Sequence, residues 1–345
     1  MDRPIFDALP DLRVPWMPIA QVPTPVEPCT AIADWLGSDR VWMKRDDLVS
    51  RVYGGNKVRR YEFLFADAKA RGARRLVTVG ALASTQAMAT ALLGREHGFA
   101  VRVVLFDQPV THFARDAVRT LVGAGAEVVY GGGIPMTAFR TWRGIERGDY
   151  VIFPGAASPL ANLGYVDAML ELGEQVRRGK TPRPDIIVTP TGSSGTLAGL
   201  ALGAAFLGWP TEIVGVRITS PVVCNRLYVA GVVARTRRFL ARRSRHWKLV
   251  REPRWRIDGS QLGPGYGEPT DAAREGARQV ERLTGVSGEI TYSGKAMAAL
   301  RTIARRHRDA SVLLWNTLST PRPAIVPGTQ IPRELAWMDE TEPVA

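Results

Sequence analysis

The stretch Ile186-Ile187-Val188-Thr189-Pro190-Thr191-Gly192-Ser193-Ser194-Gly195-Thr196 decides the fold of this chain. A short β-branched run leads into a glycine- and serine-rich loop, and an apolar segment that predicts a helix over residues 196–207 follows. Strand, loop and helix in immediate succession are typical of one unit of a parallel sheet in an α/β protein. The stretch therefore predicts that fold class.

The same alternation extends over residues 75–220. Strands are predicted at residues 76–79, 101–106, 127–130, 150–153, 186–189 and 212–218, and helices at residues 84–97, 113–123, 164–178 and 196–207. A chain of 345 residues with 45% hydrophobic content is large enough for two cores. We therefore expect an α/β protein of two lobes with mostly parallel, twisted sheets.

The expected domains are a larger one, residues 1–50 and 165–345, and a smaller one, residues 51–164, inserted into it. Two glycine-rich stretches, Gly131-Gly132-Gly133 and Pro154-Gly155-Ala156-Ala157-Ser158, are expected to mark crossings between the lobes. Ligands of such sheets bind at the carboxyl ends of the strands.

The loop over residues 192–196 is a candidate anion site. Glycines leave backbone N–H groups accessible, and the helix N-terminus and the hydroxyls of Ser193, Ser194 and Thr196 add to a cradle suited to one phosphate. The loop lacks the lysine of a Walker loop and the spacing of a dinucleotide fingerprint. A purely structural turn is the alternative interpretation.

Gly54-Gly55-Asn56-Lys57 places a lysine between a glycine turn and a predicted amphipathic helix over residues 58–69. The positive end of the helix dipole and partial burial both lower the pKa of an ammonium group at this position. A neutral amine is what Schiff-base formation with an aldehyde cofactor requires. An ordinary surface lysine that opens a helix is the alternative.

The formal net charge of +13 comes from 46 basic and 33 acidic residues, and it is compatible with nucleic acid or with small anionic ligands. In the densest basic cluster, Arg235, Arg238, Arg242 and Arg245 are predicted to share one helical face. Such a run is more often a solvated helix or an oligomer contact, and no nucleic-acid-binding motif accompanies it. Nucleic acid is therefore not an expected partner.

Other function classes receive little support from the composition. Cys29, Cys224 and four scattered histidines make neither a disulfide framework nor a metal-ligand spacing, so no metal is expected. The longest apolar runs have the length of strands, so no membrane partner is expected. Met1-Asp2-Arg3-Pro4 opens no continuous apolar signal region, and a cytoplasmic location is expected.

Taken together, these residues resemble the fold-type II pyridoxal-phosphate enzymes, which are tryptophan synthase beta-like, and specifically the 1-aminocyclopropane-1-carboxylate deaminase and D-cysteine desulfhydrase family. The resemblance runs from Pro23-Thr24-Pro25 to about Thr317. Its carriers keep the family's order along the chain: Lys44-Arg45-Asp46-Asp47 through Gly54-Gly55-Asn56-Lys57, the phosphate loop, Leu262-Gly263-Pro264-Gly265-Tyr266-Gly267-Glu268-Pro269, and Tyr292-Ser293-Gly294-Lys295-Ala296-Met297.

The resemblance implies pyridoxal 5′-phosphate as cofactor, bound in the cleft between the lobes of a homodimeric enzyme. Lys57 would be its Schiff-base lysine, and the phosphate would lie against residues 192–196. Asn56, Thr85 and Ser293 would be further cofactor contacts.

The resemblance also implies residues that face a small amino-acid substrate. Ser84, at a helix start, would face the substrate carboxylate or the reacting carbon, which agrees with the preference of carboxylates for helix N-termini. Tyr266 and Tyr292 would line the reacting face, where a phenol can assist proton transfer. The alternatives are that Tyr266 fills a Gly-Pro-Gly turn and that Tyr292 is a core aromatic.

The chain departs from the family pattern at three places. Ser84-Thr85-Gln86 stands where the family has Ser-Asn-His or Ser-Asn-Gln, and a threonine hydroxyl is shorter than an asparagine amide. Asn316-Thr317-Leu318-Ser319 stands where it has His-Thr-Gly-Gly, so Leu318 would crowd the backbone. Ser293 replaces the glutamate that the deaminases carry beside the pyridine nitrogen and is closer to the threonine of the desulfhydrases.

The predicted activity is a lyase that deaminates a small amino acid, with Lys57 as the general base once the substrate amine has displaced it. Because Ser293 offers no charge to hold a proton on the pyridine nitrogen, β-elimination from a D- or L-cysteine-like substrate is favoured. A β-replacement transferase of a specialised pathway is one alternative. A non-catalytic descendant is the other, and Thr85 and Leu318 are the residues that favour it.

Overall fold

The computed structural model describes residues 3–286, 288–319 and 323–343. The strands in chain order are β1 (Val26–Pro28), β2 (Val41–Arg45), β3 (Arg75–Ala81), β4 (Ala100–Phe106), β5 (Glu127–Gly132), β6 (Asp149–Ile152), β7 (Ile186–Thr191), β8 (Glu212–Arg217), β9 (Trp255–Asp258) and β10 (Val312–Asn316). The helices are α1 (Pro4–Ala8), α2 (Ala33–Leu36), α3 (Lys57–Ala70), α4 (Thr85–Glu96), α5 (His112–Gly123), α6 (Ile134–Arg143), α7 (Pro159–Arg177), α8 (Gly195–Phe206), α9 (Arg226–Ala241), α10 (Asp271–Thr284), α11 (Ser293–Arg306) and α12 (Trp337–Glu340). Short 3₁₀ turns lie at Thr30–Ile32, Asp46–Leu48, Pro154–Ala156 and Arg333–Leu335.

The chain forms two compact units. Unit 1 comprises Met1–Ser50, Gly54–Phe63 and Ala157–Thr320, and unit 2 comprises Arg51–Tyr53, Leu64–Ala156 and Pro321–Ala345. The expected domain bounds differ from these units at residues 54–63, 157–164 and 321–345, and the domain division stays a prediction.

Local contacts explain the largest of these differences, because the described C-terminal residues pack within unit 2. The Trp337 and Tyr130 rings are 5.9 Å apart, and Arg115 Nε donates to the Met338 carbonyl at 2.8 Å.

Unit 1 is built on a six-stranded sheet in the order β1-β2-β10-β7-β8-β9, in which only the β1–β2 pairing is antiparallel. Along β10, Leu313 and Trp315 belong to the core with α7 and α8, whereas Val312 and Leu314 belong to the core with α11. Helices cover both faces of this sheet, which is why its central strands, β10 and β7, are buried along their whole length. The predicted α/β class with mostly parallel sheets is confirmed.

Unit 2 is built on a parallel sheet in the order β5-β4-β3-β6. The predicted crossing at Gly131-Gly132-Gly133 is wrong, because this stretch ends β5 and Gly133 is the N-cap residue of α6 within the same unit. The second glycine-rich stretch does contain the change of unit, between Ala156 and Ala157.

The predicted arginine face is wrong in its second half. Helix α9 ends at Ala241, so Arg242 is its C-cap residue and Arg245 lies beyond it. Beyond the helix, Asp11 accepts hydrogen bonds from the Ser244 hydroxyl at 2.5 Å and from the Arg245 backbone N–H at 2.8 Å, which hold this segment in a non-helical path. Among the described residues, no helix combines the length and apolarity that a bilayer span requires.

Candidate active site

The turn before α3 is fixed by the segment that follows β10. Asn56 N–H donates to the Thr317 carbonyl at 3.2 Å, and Gly54 N–H donates to the Ser319 hydroxyl at 2.8 Å. Gly55 has φ +87°, and a Cβ on it would collide with the Thr317 carbonyl oxygen. Glycine is therefore required at this position, and the turn sets where the helix begins.

Lys57 is the first residue of α3, and its side chain is only 8% exposed. Its Nζ donates to Asn56 Oδ1 at 2.6 Å. Burial, and second the neighbouring Arg60 guanidinium, hold the pKa of the Lys57 ammonium well below its usual range. The amine is therefore prepared to act as a nucleophile or as a base.

The two other buried lysines of unit 1 are held by several acceptors each. Lys44 Nζ donates to the Thr24 carbonyl at 2.7 Å, to Glu171 Oε1 at 2.5 Å and to Gln175 Oε1 at 2.7 Å. Lys295 Nζ donates to backbone carbonyls at 2.7 and 3.2 Å. Burial lowers the pKa of both, but their hydrogen bonds commit them to the fold.

The loop after β7 leads into the N-terminus of α8, which lies beside the start of α3. We define the cationic cradle as Lys57 and Arg60 of α3 together with Thr196 and the N-terminus of α8. Thr196 Oγ1 accepts from Arg60 Nη2 at 2.6 Å and from Asn56 Nδ2 at 3.3 Å. The N-cap residue Ser194 makes no side-chain cap hydrogen bond to the first N–H groups of α8.

Gly195 shows how tightly this loop is packed. A Cβ on Gly195 would collide with Asn162 Oδ1 and lie 3.1 Å from Arg60 Nη2. Ser194, just before it, has φ +62°, in the left-handed region. Backbone N–H groups at a positive helix end, with a guanidinium and a hydroxyl beside them, fit a phosphate group.

Arg60 was not among the residues singled out from the sequence. It is fully buried, and burial, partly offset by Tyr165 and two further tyrosines, lowers its pKa to about 10. The spacing of Arg60 from Lys57 could have identified it in the sequence, because a residue three positions after Lys57 lies on the same side of the helix.

Tyr266 and Tyr292 lie together in unit 1. Their hydroxyl oxygens are 2.7 Å apart, and their rings meet edge to face with centroids 6.3 Å apart. Burial raises the pKa of Tyr266 to about 12, so its phenol stays protonated at neutral pH. Neither side chain is an isolated core aromatic, and the pair can pass a proton between its two oxygens.

Ser293 opens α11, and its hydroxyl is engaged with the residue four positions earlier. Ser293 Oγ accepts from the Glu289 N–H at 2.8 Å and donates to the Glu289 carbonyl at 3.0 Å. The single hydroxyl proton is therefore committed to the backbone. What the side chain can still offer to a ligand is an acceptor lone pair.

Leu318 is buried, and the hydrogen bonds of Thr317 and Ser319 to the glycine turn are made on either side of it. Its backbone N–H donates to Asn316 Oδ1 at 3.3 Å. The turn that carries Lys57 is therefore formed with leucine in place of the family's glycine.

Ser84 and Thr85 lie in unit 2, at the start of α4. Ser84 is the N-cap residue, and its Oγ accepts from the Ala87 N–H at 3.2 Å. Thr85 is half-buried, and Gln86 Nε2 donates to Thr78 Oγ1 at 2.8 Å and to the Phe153 carbonyl at 3.0 Å. Ser84 thus lies at the positive end of a helix, as predicted.

A sequence model of the family described as pyridoxal-phosphate dependent enzymes matches residues 18–317. This match covers most of the chain, and the chain therefore belongs to that family.

Individual relatives narrow the class. The chain is 31% identical over 325 residues to a D-cysteine desulfhydrase of Salmonella newport (strain SL254), and the match covers 90% of this chain and 95% of the relative. It is 30% identical over 326 residues, covering 92% and 96%, to a protein of Pyrococcus abyssi that is provisionally named a 1-aminocyclopropane-1-carboxylate deaminase.

Solved structures agree. A crystal structure described as an ACC deaminase homologue superposes with a TM-score of 0.76 at 26% identity, covering 94% of this chain and 97% of that one. A fungal L-serine ammonia-lyase from Rhizomucor miehei matches with a TM-score of 0.62 at 16% identity, which supports the fold alone.

These comparisons confirm the predicted family, the fold-type II architecture, the pyridoxal-phosphate cofactor and a lyase or deaminase class of enzyme. The roles of individual site residues stay predictions.

Proposed function

We propose that this enzyme eliminates the β-substituent of a small, β-substituted amino acid, such as a D- or L-cysteine-like substrate. The substituent leaves with a proton, and water hydrolyses the remaining product to a keto acid and ammonia. The observation that carries the choice of β-elimination is the geometry of Ser293, whose proton is committed to the Glu289 carbonyl. The relatives named as desulfhydrases support the same choice.

The cationic cradle has the chemistry to hold the cofactor. Lys57 would carry it covalently, and the N–H groups at the start of α8, with Arg60 and Thr196, would hold its phosphate. Asn56 would keep the lysine amine oriented, since Lys57 Nζ donates to Asn56 Oδ1 at 2.6 Å. When bound, pyridoxal phosphate supplies the electron sink for bond cleavage at the substrate α-carbon.

Lys57 would then take the proton from the α-carbon. A general base must be neutral when it acts, and burial together with Arg60 holds the pKa of Lys57 well below its usual range. The Tyr266–Tyr292 pair would supply a proton to the departing group, because the Tyr266 phenol, with a pKa of about 12, is protonated at neutral pH.

Ser293 would favour a substrate with a good leaving group. A carboxylate beside the pyridine nitrogen holds a proton there and strengthens the electron sink, whereas a hydroxyl carries no charge. Opening an unactivated cyclopropane ring needs the stronger sink. Elimination of sulfide does not, because the leaving group itself accepts the electrons.

Ser84 would take part in orienting the substrate. Ser84 and the first N–H groups of α4 would receive the substrate carboxylate, because a helix N-terminus attracts an anion. Thr85 follows on the same turn.

Parallel assays test this function. Keto acid and ammonia should form from D-cysteine, L-cysteine or β-chloroalanine faster than from 1-aminocyclopropane-1-carboxylate. Faster turnover of the cyclopropane compound would contradict the role given to Ser293. Product formation only when a second nucleophile is added would instead indicate a β-replacement transferase, and absence of cofactor binding would indicate a non-catalytic descendant.

We also infer that the enzyme is a cytoplasmic homodimer, as the resemblance to the family implies. An apolar surface at the start of α9 supports self-association: Val222 and Leu227 are each 85% exposed, and Val223 and Tyr228 adjoin them. Light scattering should give twice the mass of the chain, and Leu227→Asp should shift it toward the monomer. Val250→Asp, at an exposed valine elsewhere in unit 1, should not.

A further inference from the structure

Lys295 is a fully buried lysine that the proposed chemistry does not use. It lies in the first turn of α11, and its Nζ donates to the Leu262 carbonyl at 2.7 Å and to the Gly265 carbonyl at 3.2 Å. Both carbonyls belong to the loop that carries Tyr266, and Gly265 is its immediate neighbour. The ammonium therefore joins this loop to α11.

The same helix start also holds Tyr292. Tyr292 is the N-cap residue of α11, three positions before Lys295, and its backbone N–H donates to Glu289 Oε2 at 2.8 Å. Glu289 is half-buried at this turn, and desolvation raises its pKa. One tyrosine is thus held through Glu289, and the loop of the other is held through Lys295.

We propose that Lys295 is a positioning residue that sets the hydrogen bond between Tyr266 and Tyr292. The proposal rests on the role given above to the two tyrosines, and it adds the residue that aligns them. Hydrogen bonds from an ammonium group are short and strong, and two of them on one loop restrict where that loop can lie. At the described residues 260–269 the loop has turn hydrogen bonds, from Leu262 N–H to the Gly259 carbonyl at 3.3 Å and from Glu268 N–H to the Gly265 carbonyl at 3.4 Å, and neither of these joins it to α11.

A purely structural role for Lys295 predicts something different. Loss of a buried ammonium that only stabilises the fold would lower the melting temperature without a specific effect on the phenols. Lys44 provides the matched control, because it is equally buried in unit 1 and donates to acceptors that do not include the Tyr266 loop.

The test uses full-length, cofactor-loaded enzyme whose tyrosines carry ¹³C at Cζ, the carbon that bears the hydroxyl. Tyr266→Phe and Tyr292→Phe assign the two signals, and each shows how far the remaining signal moves when its partner hydroxyl is lost. Lys295→Met should move both signals by at least half of that amount and lower kcat about 10-fold or more. Lys295→Arg should restore part of the signal positions and part of kcat. Lys44→Met should leave the two signals in place.

Unchanged tyrosine signals in Lys295→Met, or equal movement in Lys44→Met, would overturn the proposal. If Lys295→Met does not fold, Lys295→Gln carries the same test, since its amide NH2 is a neutral donor group on a shorter side chain, and both signals should again move. The spectra also separate this proposal from the proposed function. If wild-type enzyme releases keto acid from none of the substrates, the lyase assignment fails, while the signals still decide whether Lys295 aligns the tyrosines.

Discussion

Arg59 and Arg60 are neighbours on α3, equally buried, and their surroundings shift their pKa values in opposite directions. For Arg59, burial is outweighed by Asp46 and Glu171, which hold its pKa well above the usual range. For Arg60, burial prevails and lowers the pKa to about 10. The first arginine belongs to a paired network, which we define as Lys44, Asp46, Arg59 and Glu171, and the second belongs to the cationic cradle.

The surroundings of a buried charge distinguish a residue that stabilises the fold from one that is placed to bind an anion. In the paired network, Arg59 Nη2 lies 2.8 Å from Asp46 Oδ1, and Glu171 accepts from both Arg59 and Lys44. In the cradle, Lys57 and Arg60 lie one turn apart. Burial and Arg60 lower the pKa of Lys57, and burial lowers the pKa of Arg60. A phosphate would add the negative charge that this arrangement favours.

Arg59→Met should cause the largest change. It leaves Asp46 and Glu171 buried without their main cation, which costs roughly 3–5 kcal/mol when a buried ion pair loses one partner. Chemical denaturation of the cofactor-free protein measures this loss. A loss below about 1 kcal/mol would show that the network is not what holds this part of unit 1.

Two acidic residues of α7, Asp167 and Glu171, have pKa values shifted in opposite directions, so the pH dependence of stability tests the same contrast. Burial, against Arg3 and Arg59, raises the pKa of Asp167 to about 6, whereas for Glu171 burial is outweighed by Arg59 and Lys44, which lower its pKa to about 2. Asp167 therefore binds its proton more tightly in the folded state, and its contribution is full below about pH 4 and is lost as the pH rises through 6.

Stability measured between pH 4 and 7 should accordingly contain a decline of roughly 3 kcal/mol from Asp167, which follows from a shift of about two pKa units. Asp167→Asn should remove that decline, because asparagine keeps an acceptor for the Ile5 N–H without titrating. An identical pH profile in wild type and variant would contradict the assignment. In the folded state Glu171 stays ionised over this range.

Gly195→Asp tests the cradle itself. A side chain at Gly195 collides with Asn162, and a carboxylate there repels a phosphate, so cofactor affinity should fall about 100-fold. Equilibrium binding of pyridoxal phosphate measures it. Gly231→Asp, at a half-buried position of α9 where an added Cβ would lie 3.7 Å from Arg235 Nη1, adds the same charge and should leave affinity unchanged. Equal affinities in both variants would place the phosphate elsewhere.

Arg60→Met should have the smallest of these effects and the most selective. Loss of one charged donor should weaken cofactor binding about 10-fold, since such a hydrogen bond contributes roughly 1.5–3 kcal/mol. The stability of the cofactor-free protein should fall less than in Arg59→Met. If the two variants are destabilised equally, the distinction between network and cradle is lost.

Much of the fold follows from the sequence because its elements are local. The strand–loop–helix over residues 186–207 and the helix that begins at Lys57 were predictable from periodicity and glycine placement. Helix α6 was not, because its packed face is Thr137 and Thr141 while Trp142 is 70% exposed, which inverts the usual pattern.

The parts of the site that lie within one turn of the chain could be predicted from the sequence. Arg60 could have been found from its spacing to Lys57. The contacts of Lys295 with Leu262 and of Asp11 with Ser244 join residues distant in sequence, and no local pattern specifies them. The commitment of the Ser293 proton likewise depends on how the chain turns before α11.

The central claim is that Lys57 is the residue that carries the cofactor. Reducing the yellow enzyme with borohydride fixes the cofactor to the lysine that holds it, and peptide mapping by mass spectrometry then identifies that lysine. We expect the pyridoxyl group on Lys57, with Lys44 and Lys295 unmodified. A pyridoxyl group on either of those lysines, with Lys57 free, would contradict it.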